Sequence, residues 1–193
     1  MPNWVYNNIT ITGDTDKVNT LRDYLAREQE IDGKIIHSDF SFWSIFAPTN
    51  LEAYHEVVGT NGRESNDPEG WYGWNCANWG TKWDTGDVEF SQEKLGELSV
   101  IAYGFETAWS HPEPIMDWLL EYCQMNNIGL YWHFEEEQGW GGTMSYDRLS
   151  GATLTTEWDI PESHAEWEGL GKECVCSWHG ESVYGDCPET VEV

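Results

Sequence analysis

Basic residues are scarce in this chain. Nine lysines and arginines stand against 35 aspartates and glutamates in 193 residues, a formal net charge of −26. The scarcity deepens along the sequence: after residue 100 the only bases are Arg148 and Lys172. Affinity for a nucleic-acid backbone comes largely from Lys and Arg displacing counterions, so direct nucleic-acid binding is not expected. An anionic membrane surface is disfavoured on the same ground. No run of about 18 apolar residues occurs, which excludes an expected transmembrane helix. The opening MPNWVYNNITITGD has neither a basic start nor a long apolar stretch, so no signal peptide is expected. The five cysteines (76, 123, 174, 176 and 187) are odd in number and crowd toward the end. They do not form the pattern of a secreted disulfide framework, and a reduced, cytoplasmic protein is the expectation. P-loop, G-x-S-x-G, H-E-x-x-H and Rossmann glycine patterns are all missing. No catalytic residue is therefore assigned.

Aromatic residues, by contrast, are abundant: 13 tryptophans, with Phe, Trp and Tyr together making up 15%. That composition argues for a folded core and against a disordered chain. Residues 4–12 (WVYNNITIT) alternate as a strand, and Asp14 or Thr15 can cap a helix over 16–29. Residues 39–49 alternate Phe40, Phe42, Ser44 and Phe46 and predict a second strand. Residues 50–70 are polar and turn-rich. Further strands are expected at 79–90, 98–107 and 130–137, with a hairpin over 140–158. Ile115, Trp118, Leu119 and Tyr122 stand at helical spacing after Pro112 and Pro114, which predicts a helix. Strand runs separated by helices favour an α+β fold with a mainly antiparallel sheet and helices on one face. A ferredoxin-like split βαβ core, with a Trp-rich loop insertion, fits that order. Residues 1–160 are expected to form this domain. Residues 161–193, with eight acids and one base after Pro161, form an acidic C-terminal extension.

The segments MPNW…N-ITITGD, WYGW…NWGTKWD, FETAWSHP and FEEEQGWGG, in that order, resemble the YubB ferredoxin-like family of phage and conjugative-plasmid proteins. The resemblance covers residues 1 to about 145. It implies a ferredoxin-like fold and a mobile-element origin, and it implies no reaction.

Four groups of residues are functional candidates. Glu135, Glu136, Glu137, Glu157, Asp159, Glu162, Glu166 and Glu168 could dock onto a basic host protein, such as a nucleic-acid-binding or defence protein, by imitating phosphates. Trp71, Tyr72, Trp74, Trp79, Trp83 and Trp109, with Lys82, could instead form a pocket for a nucleotide or another planar ligand; the structural alternative is a core and turn cluster with Lys82 over a Trp face or paired to Asp84. His133, Glu135 and Glu137 alternate along one strand and could hold a metal for hydrolysis, or form a solvated sheet face. Cys174, Cys176, His179 and Cys187 supply the four ligands that a tetrahedral zinc takes, or are free thiols and an imidazole in a tail.

Overall fold

A computed structural model describes residues 3–31, 34–55, 68, 70–160 and 169. The candidate zinc ligands Cys174, Cys176, His179 and Cys187, and the acids Glu162, Glu166 and Glu168, lie outside the described residues.

The fold is mixed α+β, built on a six-stranded antiparallel sheet. Strand β1 (Trp4–Asp14) leads to helix α1 (Thr15–Leu25), then to a separate hairpin of β2 (Arg27–Ile31) and β3 (Lys34–Ser38). The described residues that follow include the short helices α2 (Phe42–Ile45), α3 (Leu51–His55) and α4 (Trp71–Asn78). The chain then forms β4 (Glu89–Leu95), β5 (Leu98–Ala108), α5 (Glu113–Asn126), β6 (Gly129–Glu136), β7 (Gly141–Asp147) and β8 (Ala152–Trp158). The sheet order is β4-β5-β1-β6-β7-β8. Strand β1 thus sits near the centre, paired to β5 and β6 along most of its length.

Alternation along the strands sorts the two faces. Val5, Ile9 and Ile11 on β1, Ile101, Tyr103 and Phe105 on β5, and Leu130, Trp132 and Phe134 on β6 point into one core. Helix α1 adds Val18, Leu21 and Leu25 to it, and α5 adds Ile115, Leu119 and Cys123. Both helices therefore cover the same face, and Tyr24 of α1 stacks on Trp118 of α5 with ring centroids 5.3 Å apart. Asn7 is the buried polar residue of β1 on this face. Its amide donates to Val5 O and Thr107 Oγ1 and accepts from Trp132 Nε1, so its burial leaves nothing unpaired.

Four local expectations change. Helix α1 starts under an Asp14 cap, as expected, but ends at Leu25 rather than 29, and the hairpin β2–β3 follows. The 39–49 segment is not a strand. Asp84 accepts hydrogen bonds from Ser41 Oγ and Phe42 N, both 2.6 Å, and this cap turns Phe42–Ile45 into a helical turn. Residues 79–88 are irregular, and the expected strand begins only at Glu89. The Trp-rich stretch begins as helix α4, not as a loop.

His111 packs at the start of α5, stacked on Phe134 with centroids 4.0 Å apart and rings inclined by 20°. Its Nδ1 is buried with no hydrogen-bond partner among the described residues. Burial holds the imidazole below its ordinary pKa, against the raising effect of Glu113, Glu157 and Asp117. The folded state thus binds this proton less readily than the unfolded chain. The stability it contributes is complete above about pH 6.5 and is lost as pH falls below that value. Replacing His111 with Phe should therefore make the melting temperature less sensitive to pH between about 7 and 5. An unchanged pH slope in thermal unfolding would rule out this role.

Candidate functional site

Among the described residues, no helix lies over the second face of the sheet. Tyr6, Asn8 and Thr10 on β1 and Tyr131 on β6 lie exposed there. Register places Glu106 of β5, Tyr6 of β1 and Glu135 of β6 in one row across the sheet. Glu89 of β4, Gly104 of β5, Asn8 of β1 and His133 of β6 form the adjacent row. Glu93 lies further along β4, and Glu137 follows β6, tied by its N–H to Trp4 O at 3.1 Å. Among the described residues, no strand position on this face is lysine or arginine. The field has a local consequence: some burial, then Glu137 and Glu106, raise the pKa of the Tyr6 hydroxyl.

The predicted acidic set is therefore split by the fold. Glu135 and Glu137 lie on the open face. Glu136 points the other way and is 2% exposed; one of its oxygens accepts from Gln138 N at 2.6 Å. Glu157 pairs with Gly142 on β7, on the helix side of the sheet, and Asp159 is exposed just past β8. Glu89 and Glu106 join Glu135 and Glu137 without having been singled out in sequence. Their only signal was alternation within β4 and β5, which carries no information until register aligns those strands with β6.

His133 and Glu135 approach to 4.0 Å, and the His133 ring lies 5.8 Å from that of Trp158. Among the described residues, no group of three or more His, Cys, Asp or Glu side chains is placed to hold a metal ion.

The aromatic block divides into core and cage. Trp79 is 1% exposed, and its indole N–H donates to Phe46 O at 2.9 Å. Trp74 packs edge-on against Trp79 and Tyr54. Trp71, Tyr72, Trp83 and Trp109 instead surround Lys82, whose ammonium lies 4.5 Å from the Trp83 centroid and 4.8 Å from that of Trp109. Tyr72 and Trp71 are at 5.9 and 6.0 Å. Several elements hold this cage in place. Gly80 turns at φ +77°, where an added Cβ would meet Pro114 at 2.8 Å. Thr81 Oγ1 donates to Ala108 O, and Asn75 donates to Lys82 O. Trp109 adopts φ 70°, unusual for a residue with a bulky side chain, and its N–H is anchored on Asn3 O. Ring faces attract the buried ammonium through their quadrupoles. Lys82 is 8% exposed, so it serves the cage and is not presented as a phosphate partner on an open groove.

Two clefts flank this block. One, of about 670 Å³, opens on the bare sheet face between Trp4, Tyr6 and Trp83, with Asp87, Glu89 and Glu106 around it. The other, of about 890 Å³, lies between the β2–β3 hairpin and helices α3 and α4, lined by Arg27, Trp43, Tyr54 and Trp71. Arg27 stacks over Trp43 at 4.3 Å.

No family model matches the chain. The curated proteins contain no match either. Among solved structures, the crystal structure of protein api92 from Yersinia pseudotuberculosis, of family DUF1281, aligns with 83% of this chain and 99% of its own length. Its TM-score is 0.45 at 10% identity. No helix among the described residues is long and apolar enough to cross a membrane.

Proposed function

We propose that this chain is a non-enzymatic accessory protein of a mobile element, which docks its open, carboxylate-bearing sheet face onto a basic protein of the host. The observation that carries this reading is the charge of that face: Glu89, Glu106, Glu135 and Glu137 stand on it without a single strand lysine or arginine among the described residues. A net charge of −26 adds a long-range field of the same sign. Carboxylates spaced across a sheet face stand in for phosphates and draw a nucleic-acid-binding partner into encounter. The mobile-element origin rests on the resemblance of residues 1 to about 145 to the YubB family. A ferredoxin-like core is part of the proposal: strands β4-β5-β1-β6, with α1 and α5 as crossovers on one face, have the order of a split βαβ unit, and β7–β8 extend it.

The test begins with a pull-down from host lysate at low and high salt, followed by association kinetics with the purified partner. The triple replacement Glu106→Gln, Glu135→Gln and Glu137→Gln should slow association about tenfold at low salt. The effect should shrink as screening increases. An unchanged on-rate at low salt would refute the docking face.

The rival proposal is a small planar ligand held beside the aromatic block, and the Arg27, Trp43, Tyr54 and Trp71 cleft favours it. It predicts saturable quenching of Trp fluorescence by a nucleotide, abolished by Arg27→Ala. Absence of quenching at millimolar nucleotide would remove it.

A further inference from the structure

We infer that the cleft between Trp4, Tyr6 and Trp83 is an anchor pocket for an arginine side chain of the docked partner, an inference that rests on the docking reading above. Its floor is Gly104, on β5, between Glu89 of β4 and Asn8 of β1. The point where a Cβ on Gly104 would sit lies 3.6 Å from Glu89 Oε2 and 3.7 Å from Asn8 Oδ1. Two oxygen acceptors from separate strands thus converge over a residue that lacks a side chain. Glu106 stands one position along on the same face of β5, opposite Tyr6. Trp4 and Trp83, with ring centroids 6.1 Å apart and planes inclined by 34°, supply an aromatic wall at the same cleft.

These features select a guanidinium. It is planar and weakly hydrated, stacks on aromatic faces, and presents N–H groups in a fixed fork that can serve two separated acceptors at once. An ammonium has the charge without the fork or the flat face. An anion is repelled by Asp87, Glu89 and Glu106, which all line the cleft. The volume of about 670 Å³ admits a long side chain together with part of its backbone.

Gly104 also makes the inference testable without unfolding the protein. It has no positive φ, and a Cβ there meets its neighbours only at ordinary van der Waals distance, 3.6 Å or more. Gly104→Ala should therefore fold normally while placing a methyl group on the cleft floor, beneath the guanidinium, and lifting it from its two acceptors. The experiment titrates the full chain with N-acetyl-arginine amide and follows the Trp indole N–H signals by NMR. Saturable shifts of the Trp4 and Trp83 signals are expected, with N-acetyl-lysine amide binding about tenfold more weakly. Gly104→Ala should weaken arginine binding about tenfold at an unchanged melting temperature, and Glu89→Gln should weaken it too. No saturable shift, or equal binding by Gly104→Ala, overturns the anchor.

The same variant separates this inference from the docking reading. A purified partner whose affinity ignores Gly104→Ala but responds to Glu106→Gln, Glu135→Gln and Glu137→Gln leaves the docking face standing and removes the anchor. Arginine binding that Gly104→Ala weakens, with a partner on-rate that ignores Glu135→Gln and Glu137→Gln, leaves an arginine pocket and removes the docking face.

Discussion

Trp79→Ala should cost about 3–5 kcal/mol of folding stability, the range found when a buried large aromatic is truncated. Trp79 meets the conditions for that range. It is 1% exposed and belongs to the main core cluster. Its ring lies 6.0 Å from Phe42, 6.1 Å from Trp43 and 5.4 Å from Trp74, so it joins helix α2 to helix α4. Its indole N–H satisfies Phe46 O, which the truncation would leave without that donor. Helices of four and eight residues cannot hold their shape by backbone hydrogen bonds alone. Removing the ring should therefore loosen both and disperse the Lys82 cage beside them. Urea unfolding measures the loss. Trp79→Phe, which keeps most of the apolar volume, should recover part of it. A change below about 1 kcal/mol for Trp79→Ala would show that the ring is not a core element.

Asp84→Ala is expected to cost about 3 kcal/mol, through hydrogen bonds rather than volume. The carboxylate accepts from Ser41 Oγ and Phe42 N at 2.6 Å each and from Thr85 N at 2.8 Å. Arg27 stands 4.0 Å away. About a quarter of the side-chain surface still meets solvent, yet desolvation of the carboxyl outweighs these donors and the Arg27 charge and raises its pKa above the ordinary value. The sign for stability follows from that direction. The folded state binds this proton more readily than the unfolded chain, so the ionised carboxylate itself opposes folding as pH rises through the raised pKa. The group is retained for its acceptors. Alanine removes all of them and orphans the N–H groups of Phe42 and Thr85. Asparagine keeps one acceptor oxygen and removes the charge, so Asp84→Asn should cost clearly less than Asp84→Ala. Equal losses for the two variants in urea unfolding would refute this account.

The two aromatic segments show where a one-dimensional reading stops. Residues 39–49 alternate like a strand, because Phe40 and Phe42 are both core residues, 5.9 Å apart with rings at 89°. What bends them into α2 is Asp84, more than forty residues later. In the 71–84 block, the number of tryptophans and the presence of Lys82 were visible at once. That Trp79 goes to the core while Trp71, Tyr72, Trp83 and Trp109 enclose the ammonium was not. Trp109 belongs to a different segment and reaches Lys82 only because its backbone turns at φ 70° after β5.

The amino-acid sequence alone specifies the central features: β1, β5, α5, β6 and the β7–β8 hairpin, because each carries a strong period or a clear cap or turn over many residues. It also determined the sign of the electrostatic field, since 35 acids against nine bases is independent of conformation. Which acids share a surface depends on the folded arrangement of the strands. Neighbours in sequence diverge on a strand, so Glu135 and Glu136 face opposite sides. Residues far apart converge through register, so Glu89, Glu106 and Glu135 meet on one face. Strand pairing also set Gly104 between Glu89 and Asn8. That arrangement is long-range, because a strand's own period gives the spacing of its side chains but not the partners opposite them.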